Sequence, residues 1–271
     1  MTNLRLITYL APGIPMEFFE TIARALGPET VLVADSRASG PPAGETDPFT
    51  AGTADLGFMC APAFLSMRRG RANPPVRLLG VAPVFDDPRA KGQPVYHADV
   101  IVRAADEARS FTDLRSRRVG YNDAISLSGR LALLIHLAEI DEDLTFFSEA
   151  IGTGSHDASL RALHDHEIDV ATIDATTLRL RQAARDPLVA DVRVVAALGP
   201  HPIQPIVLRS DVEENRRRTI CAALVEFAAM AEGRVMLAQF GCIGFAPVSD
   251  HSYSKLDASL LSLDIDCWAK A

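Results

Sequence analysis

The chain has 271 residues, 48% of them hydrophobic and 23% charged, a composition that supports a packed core and excludes an intrinsically disordered chain. Lys and Arg number 27 against 35 Asp and Glu, so the formal charge is −8, which argues against a nucleic-acid or anionic-membrane binder. The basic clusters MRRGR at Met67 and NRRR at Asn215 are too short to reverse that balance and read as solvated helix faces.

Four cysteines, Cys60, Cys221, Cys242 and Cys267, are widely spaced with no C-x-x-C pair, which points to buried free thiols and not to zinc or a redox dithiol. The opening MTNLRLITYLAPGIP lacks the basic start, long apolar segment and small-residue cleavage site of a secretory leader. As written, the chain therefore reads as cytoplasmic, and as periplasmic or extracellular if a leader has been trimmed from it. No apolar run reaches the roughly 18 residues of a membrane span, so no membrane insertion is expected.

In chain order, LRLITYL from Leu4 reads as a strand and PMEFFETIARALG from Pro15 as a helix that Gly27 ends. TVLVADS from Thr30 and ADLGFMC from Ala54 follow as strands, then a short helix at FLSMRRG and a strand at VRLLGVAPVF from Val76. This alternation implies parallel βαβ units and an α/β fold.

PVYHADVIVR from Pro94 is a long extended segment. From Ser110 to Asp186 a second compact α/β unit is expected, containing two polar helix starts, YNDAISLSGRLALL and GTGSHDASLRAL. VRVVAALGPHPIQPIVLRSD is then extended and broken by Pro200, Pro202 and Pro205, which confines it to an edge or a connection. The remainder is mostly helical. Two lobes follow from this organisation: residues 1–95 with 203–271, and residues 96–202.

In the first helix start, Leu127, Leu131, Leu134 and Ala138 fall on one face of a regular helix. Ser126 and Ser128 lie at its first turn, and Gly129 lets something approach the backbone. Unpaired amides and the helix dipole make such a turn a seat for a phosphate-like or carboxylate group, while ordinary serine capping is the plainer reading. At the second start Ser155 is a cap, and His156 would donate a hydrogen bond to an anion and, if protonated, a counter-charge. Asp174 ends the predicted strand IDVATID, where it either meets a ligand's amine or hydroxyl or caps the next helix. In the first lobe Tyr9, Met59 and Cys60 leave strand ends, where they wall a pocket or serve as core.

Signatures of catalysis are missing: there is no G-x-S-x-G, P-loop, H-E-x-x-H or strand-linked G-x-G-x-x-G. The HDH at His164 has i, i+2 spacing, which does not put both imidazoles on one helix face. Neither a metal nor another cofactor is expected.

Taken together, PVYHADVIVR, FTDLRSRRVGYNDAISLSGRLAL, GSHDASLRALHDHEIDVATID and GFAPVSDHSY resemble the phosphonate/phosphate-type substrate-binding proteins of ABC transporters, over about Asp55 to Tyr253. The resemblance implies a type II periplasmic-binding-protein fold: two α/β lobes, two hinge strands and a ligand cleft between the lobes. The family's Ser-Thr-Ser-Gly anion turn is matched by Ser126-Leu127-Ser128-Gly129, with Leu127 where the family has threonine. Its Ser-His pair falls on Ser155 and His156, its acidic strand end on Asp174, and a cleft-facing aromatic on Tyr96.

The function expected from residues and resemblance together is non-catalytic binding of a small oxyanion-bearing ligand by lobe closure, for uptake through an ABC permease or for sensing. The rival expectation is a cytoplasmic biosynthetic enzyme on the same fold, of the menaquinone-pathway or thiamine-pyrimidine type.

Overall fold

The computed structural model describes residues 4–10, 13–35, 37–42 and 45–263. The chain opens with β1 (Arg5–Thr8), α1 (Met16–Ala25), β2 (Val31–Ala34), β3 (Leu56–Phe58), α2 (Ala61–Arg68), β4 (Val76–Leu78) and β5 (Val81–Phe85). It continues with β6 (Val95–Arg103), β7 (Arg118–Tyr121), α3 (Ala132–Glu139), β8 (Glu149–Gly152), α4 (His156–His164), β9 (Val170–Asp174), α5 (Ala175–Ala183) and β10 (Val192–Pro202). The last elements are β11 (Ile206–Arg209), α6 (Glu214–Ala229), α7 (Ala231–Ala238), β12 (Cys242–Pro247) and α8 (Asp250–Ser262). The chain divides into two compact units, residues 1–95 with 202–254 and residues 96–201 with 255–271.

The first unit holds a five-stranded sheet ordered β2-β1-β3-β11-β4. Strand β1 pairs in parallel with β2 and β3, whereas β11 runs antiparallel to β3 and β4. A separate antiparallel pair joins β12 to β5. Helix α1 forms because its apolar residues recur at helical spacing, burying Phe18, Phe19, Ile22 and Ala23 on one face. Beyond its last turn Gly27 adopts φ +118°, a conformation that L side chains rarely take. The Phe18 ring packs edge-on against Phe19, Phe58 and Phe240 at centroid separations of 5.3, 6.3 and 5.8 Å. Phe18, Phe19 and Phe58 are fully buried, and each contributes about 1.5–3 kcal/mol by leaving water, whereas Phe240 is only partly covered.

The sheet of the second unit is ordered β10-β6-β9-β7-β8. Strands β7, β8 and β9 are parallel, and β6 runs antiparallel to β9. The proline-bearing β10 sits at the sheet edge, where a missing amide breaks no ladder. One face of β9 sends Ala171 and Ile173 into a core with Leu160, Leu163, Ile168 and Leu178. At the base of the parallel strands Arg118 holds the Asp169 carboxyl down to about 2, through a side-chain bond at 3.0 Å and a main-chain bond at 3.1 Å. That pair ties the start of β7 to the residue before β9.

The helix after β7 departs from the regular expectation. Residues Leu127–Leu131 form a π-turn, with Leu131 N donating to Ser126 O and Ala132 N to Leu127 O. A π-turn takes in one extra residue, so the apolar face slips by one position. Leu127, Leu131 and Leu134 are buried as expected, but Leu137 continues the face and Ala138 is exposed.

Cys60 and Cys242 are buried free thiols and Cys221 is a half-buried one, while Cys267 lies outside the described residues. Among the described residues, no helix is long and apolar enough to cross a membrane. The arginines of NRRR do more than face solvent: Arg217 donates to Leu79 O at 2.6 Å and pairs with Glu214.

Candidate functional site: two helix starts joined at one strand end

The second unit brings both polar helix starts to the C-terminal end of β7. Tyr121 O accepts from Thr153 N at 2.8 Å, and Thr153 Oγ1 donates to the same carbonyl at 2.9 Å. One residue on, Asn122 O accepts from Gly154 N at 2.7 Å. The loop that leads into α4 therefore hangs on the two residues that lead into the π-turn. Open α/β sheets present their ligands at such strand ends.

Ser126 and Ser155 cap the two helices. Ser126 Oγ accepts from Gly129 N at 3.1 Å, and Ser155 Oγ accepts from Ala158 N at 3.0 Å. The capping reading of these hydroxyls is thus correct, and each keeps its own O–H as a donor. Ser128 does not cap. Its Oγ lies 3.2 Å from His156 Nε2, a contact that joins the two starts directly.

His156 is 9% exposed, and its other ring nitrogen, Nδ1, is buried with no hydrogen-bond partner. Burial, and secondly the charge of Arg181, push its pKa down to about 4. This corrects one expectation from the sequence: at neutral pH the imidazole is a neutral donor or acceptor and supplies no counter-charge. The reason is physical, since an imidazolium enclosed at a helix start pays desolvation with no carboxylate to offset it.

Gly129 has a different purpose from the one its position suggested. The group that approaches its backbone is the side chain of Asn122: a β-carbon on residue 129 would stand 1.7 Å from Asn122 Oδ1. That oxygen is itself buried without a partner. Neither Asn122 nor Thr153 stood out in the sequence. The signal available was only their position, immediately after the predicted strands β7 and β8.

Asp174 is a cap, accepting at Oδ1 from Thr176 N at 2.7 Å and from Thr177 N at 3.4 Å. It also pairs across the sheet with Ala98 on β6, two residues from the buried Tyr96. Tyr96 packs edge-on with His201 at 6.4 Å between ring centroids. Seven of the ten residues singled out from the sequence, Ser126, Ser128, Gly129, Ser155, His156, Asp174 and Tyr96, belong to this unit. The other three, Tyr9, Met59 and Cys60, are buried in the first unit, where burial raises the Tyr9 phenol far above its usual range. Among the described residues no group of three His, Cys, Asp or Glu side chains converges on a common point suited to a metal ion.

The arrangement can do one thing well. Two helix dipoles, two serine O–H groups, the Ser128 hydroxyl and a neutral imidazole collect donors at one place, which is chemistry for holding an oxyanion. The Ser128 hydroxyl does lie within reach of the His156 imidazole, but His156 Nδ1 has no hydrogen-bond partner, so the third group that orients the base of a nucleophile pair is missing there.

Known proteins share this fold. The family model described as the periplasmic substrate-binding protein of phosphonate ABC transporters matches residues 43–253. The binding-protein component of an ABC phosphonate transporter from Pseudomonas aeruginosa superposes with a TM-score of 0.76 at 17% identity, over 95% of this chain and 85% of that one. PhnD1 from Prochlorococcus marinus, solved with methylphosphonate, gives 0.78 at 13% identity, over 97% and 98%. The periplasmic aliphatic sulphonate binding protein SsuA from Escherichia coli gives 0.62 at 14% identity, over 100% and 92%. The fold is therefore the two-lobed type II periplasmic-binding-protein fold that the resemblance implied. These are binding proteins, and nothing in the comparison supports the biosynthetic-enzyme alternative. The chain belongs to the family of phosphonate-type periplasmic substrate-binding proteins of ABC transporters.

Proposed function

We propose that this chain binds a small phosphonate- or phosphate-like oxyanion at the paired helix starts of its second unit and serves an ABC permease. Ser126, Ser128, Ser155 and His156 hold the oxyanion, Gly129 gives the turn its shape, and Asp174 with Tyr96 receives the other end of the ligand. The observation that carries the reading is the Ser128–His156 contact at 3.2 Å, which fastens two donor-rich helix starts into one seat. Family membership supports the transport role and a working place in the periplasm. Tyr9, Met59 and Cys60 belong to the first unit and lie outside this set.

A thermal-shift screen over phosphonates, phosphate, phosphite, sulfonates and small carboxylates tests the proposal. A ligand at about a hundred times its dissociation constant stabilises the folded protein by about 2.7 kcal/mol, which such an assay reads easily. Stabilisation by carboxylates alone, with no response to any phosphorus oxyanion, would overturn it. Cell fractionation of the native gene product tests the periplasmic assignment, and a product confined to the cytoplasm would refute that part.

A further inference from the structure

Both helix starts meet on Asn122. Its main-chain oxygen accepts from Gly154 N at 2.7 Å in the loop before α4, and its side chain lies against Gly129 in the π-turn. The residue is 7% exposed, and its Oδ1 is buried with no hydrogen-bond partner. A carboxamide oxygen accepts hydrogen bonds and cannot donate one. Leaving it unpaired in a buried place costs free energy that an apolar side chain of the same volume would not incur. The chain keeps this oxygen nonetheless, and keeps a glycine opposite it, since a β-carbon on residue 129 would stand 1.7 Å from Oδ1. A side chain that served packing alone would need neither. The sense of the oxygen is also opposite to that of its surroundings. Ser126 and Ser155 accept main-chain N–H groups from Gly129 and Ala158, and each keeps an O–H to donate. Donors at a helix start hold the ionised oxygens of any oxyanion. An acceptor among them gains a bond only from a guest that brings a hydrogen of its own.

We propose that Asn122 is a specificity-determining residue that accepts a hydrogen bond from a protonated oxygen of the ligand, so that the seat prefers a singly ionised phosphonate or phosphate to an oxyanion with no proton to give, such as a sulfonate. The inference rests on the anion-binding reading above. The P–O–H group that survives the first ionisation donates to Oδ1, while the ionised oxygens meet the serine turn. A sulfonate sets an oxygen lone pair against the Oδ1 lone pairs, and the buried acceptor stays unpaired. Sites built to take a hydrogen bond reject analogues that lack it for this reason.

The test is calorimetric titration with methylphosphonate and methanesulfonate at mildly acid pH, where the two have the same charge and nearly the same shape and differ by one proton. Wild-type protein should favour methylphosphonate by about ten- to hundredfold, the effect of one hydrogen bond in a charged complex. Asn122→Leu should bring the two affinities to within a few-fold, whereas Asn122→Asp, which retains an acceptor oxygen, should keep the preference while binding both ligands more weakly. A residue that only shapes the turn would lower both affinities equally, so an unchanged preference in Asn122→Leu overturns the proposal. Equal affinities in the wild type overturn it as well, and so does a preference lost in Asn122→Asp. If the leucine prevents folding, Asn122→Ala removes the oxygen with less bulk. If neither variant folds, phosphorus NMR of the wild type decides: bound methylphosphonate should keep its proton to higher pH than free ligand, and loss of the proton at lower pH is the overturning outcome. Wild-type protein that binds neither ligand refutes the function reading itself, and is seen before any variant is made.

Discussion

Asn122 and Gly129 compete for one volume: a β-carbon on residue 129 would meet Asn122 Oδ1 at 1.7 Å, Asn122 Cγ at 2.5 Å and the Asn122 backbone nitrogen at 3.2 Å. The side chain can swing aside, but the backbone nitrogen is held by the strand end, so space cannot be made fully. Gly129→Ala should therefore destabilise the protein by about 1–3 kcal/mol, as overpacked sites do. Chemical denaturation checks this. In an Asn122→Ala background the same change should cost clearly less, and strictly additive losses would show that the clash is not the cause.

Ser128 and Ser155 should each affect both binding and stability. Ser128→Ala removes a hydroxyl that caps nothing but leaves the buried His156 Nε2 without its partner, so it should cost about 1–3 kcal/mol of stability while oxyanion affinity falls about ten- to hundredfold. Ser155→Ala should weaken binding comparably and also cost about 1 kcal/mol of stability, because Ser155 Oγ accepts from Ala158 N. Calorimetric titration beside thermal denaturation reads both quantities. Unchanged affinity in both variants would reduce the two turns to well-capped helices.

His156 gives a pH dependence with a defined sign. Its pKa falls from 6.5 to about 4 on folding, mainly through burial. Between those values the unfolded chain binds the extra proton, so stability is lost as pH drops from about 6.5 toward 4. One such group accounts for about 2 kcal/mol of lost stability at about pH 5. His201, also pushed down to about 4 by burial and by His97, adds a second contribution of the same sign. Denaturant midpoints at neutral and mildly acid pH should drop less for His156→Gln and His201→Gln than for the wild type. Parallel midpoint shifts in all three proteins would remove both histidines from the explanation.

Asp174→Asn should leave the fold intact, since asparagine caps as well as aspartate does. Affinity should fall for ligands that carry an amine and hold for plain phosphonate or phosphate, because the carboxylate contributes nothing favourable to the anion. Asp174→Ala, by contrast, should cost about 0.5–2 kcal/mol through the lost bonds to Thr176 N and Thr177 N. Titration with one aminated and one plain phosphonate distinguishes these outcomes. An equal loss for both ligands would leave Asp174 as a cap alone.

What the sequence made legible were features set by local chemistry. Strand and helix alternation, the caps at Ser126 and Ser155, and the confinement of the proline-bearing segment to an edge all follow from periodicity, hydrogen-bonding capacity and a missing amide. What stayed hidden depended on contacts between distant residues. The π-turn moves the buried face from Ala138 to Leu137 through one extra residue in the hydrogen-bonded ring, and no pattern in SLSGRLALL announces it. Gly129 was noticed, but its neighbour Asn122 was not, because the approach that makes glycine necessary comes from folding the loop back on itself. The neutrality of His156 was equally out of reach, since desolvation is a property of the enclosure and not of the residue.

Tyr121 and Gly152 lie opposite each other in register on the adjacent parallel strands β7 and β8. Neighbouring strands stand about 4.8 Å apart, and each polar helix start follows one of these two strand ends. The sheet therefore sets the spacing of the two helix starts: the separation of the two donor clusters is inherited from backbone pairing and not chosen by the serines or the histidine. In the proposed site, side chains at the two starts could vary to suit one guest or another while the gauge between them stays constant, and a guest whose oxygens span a different width should be refused by the scaffold itself.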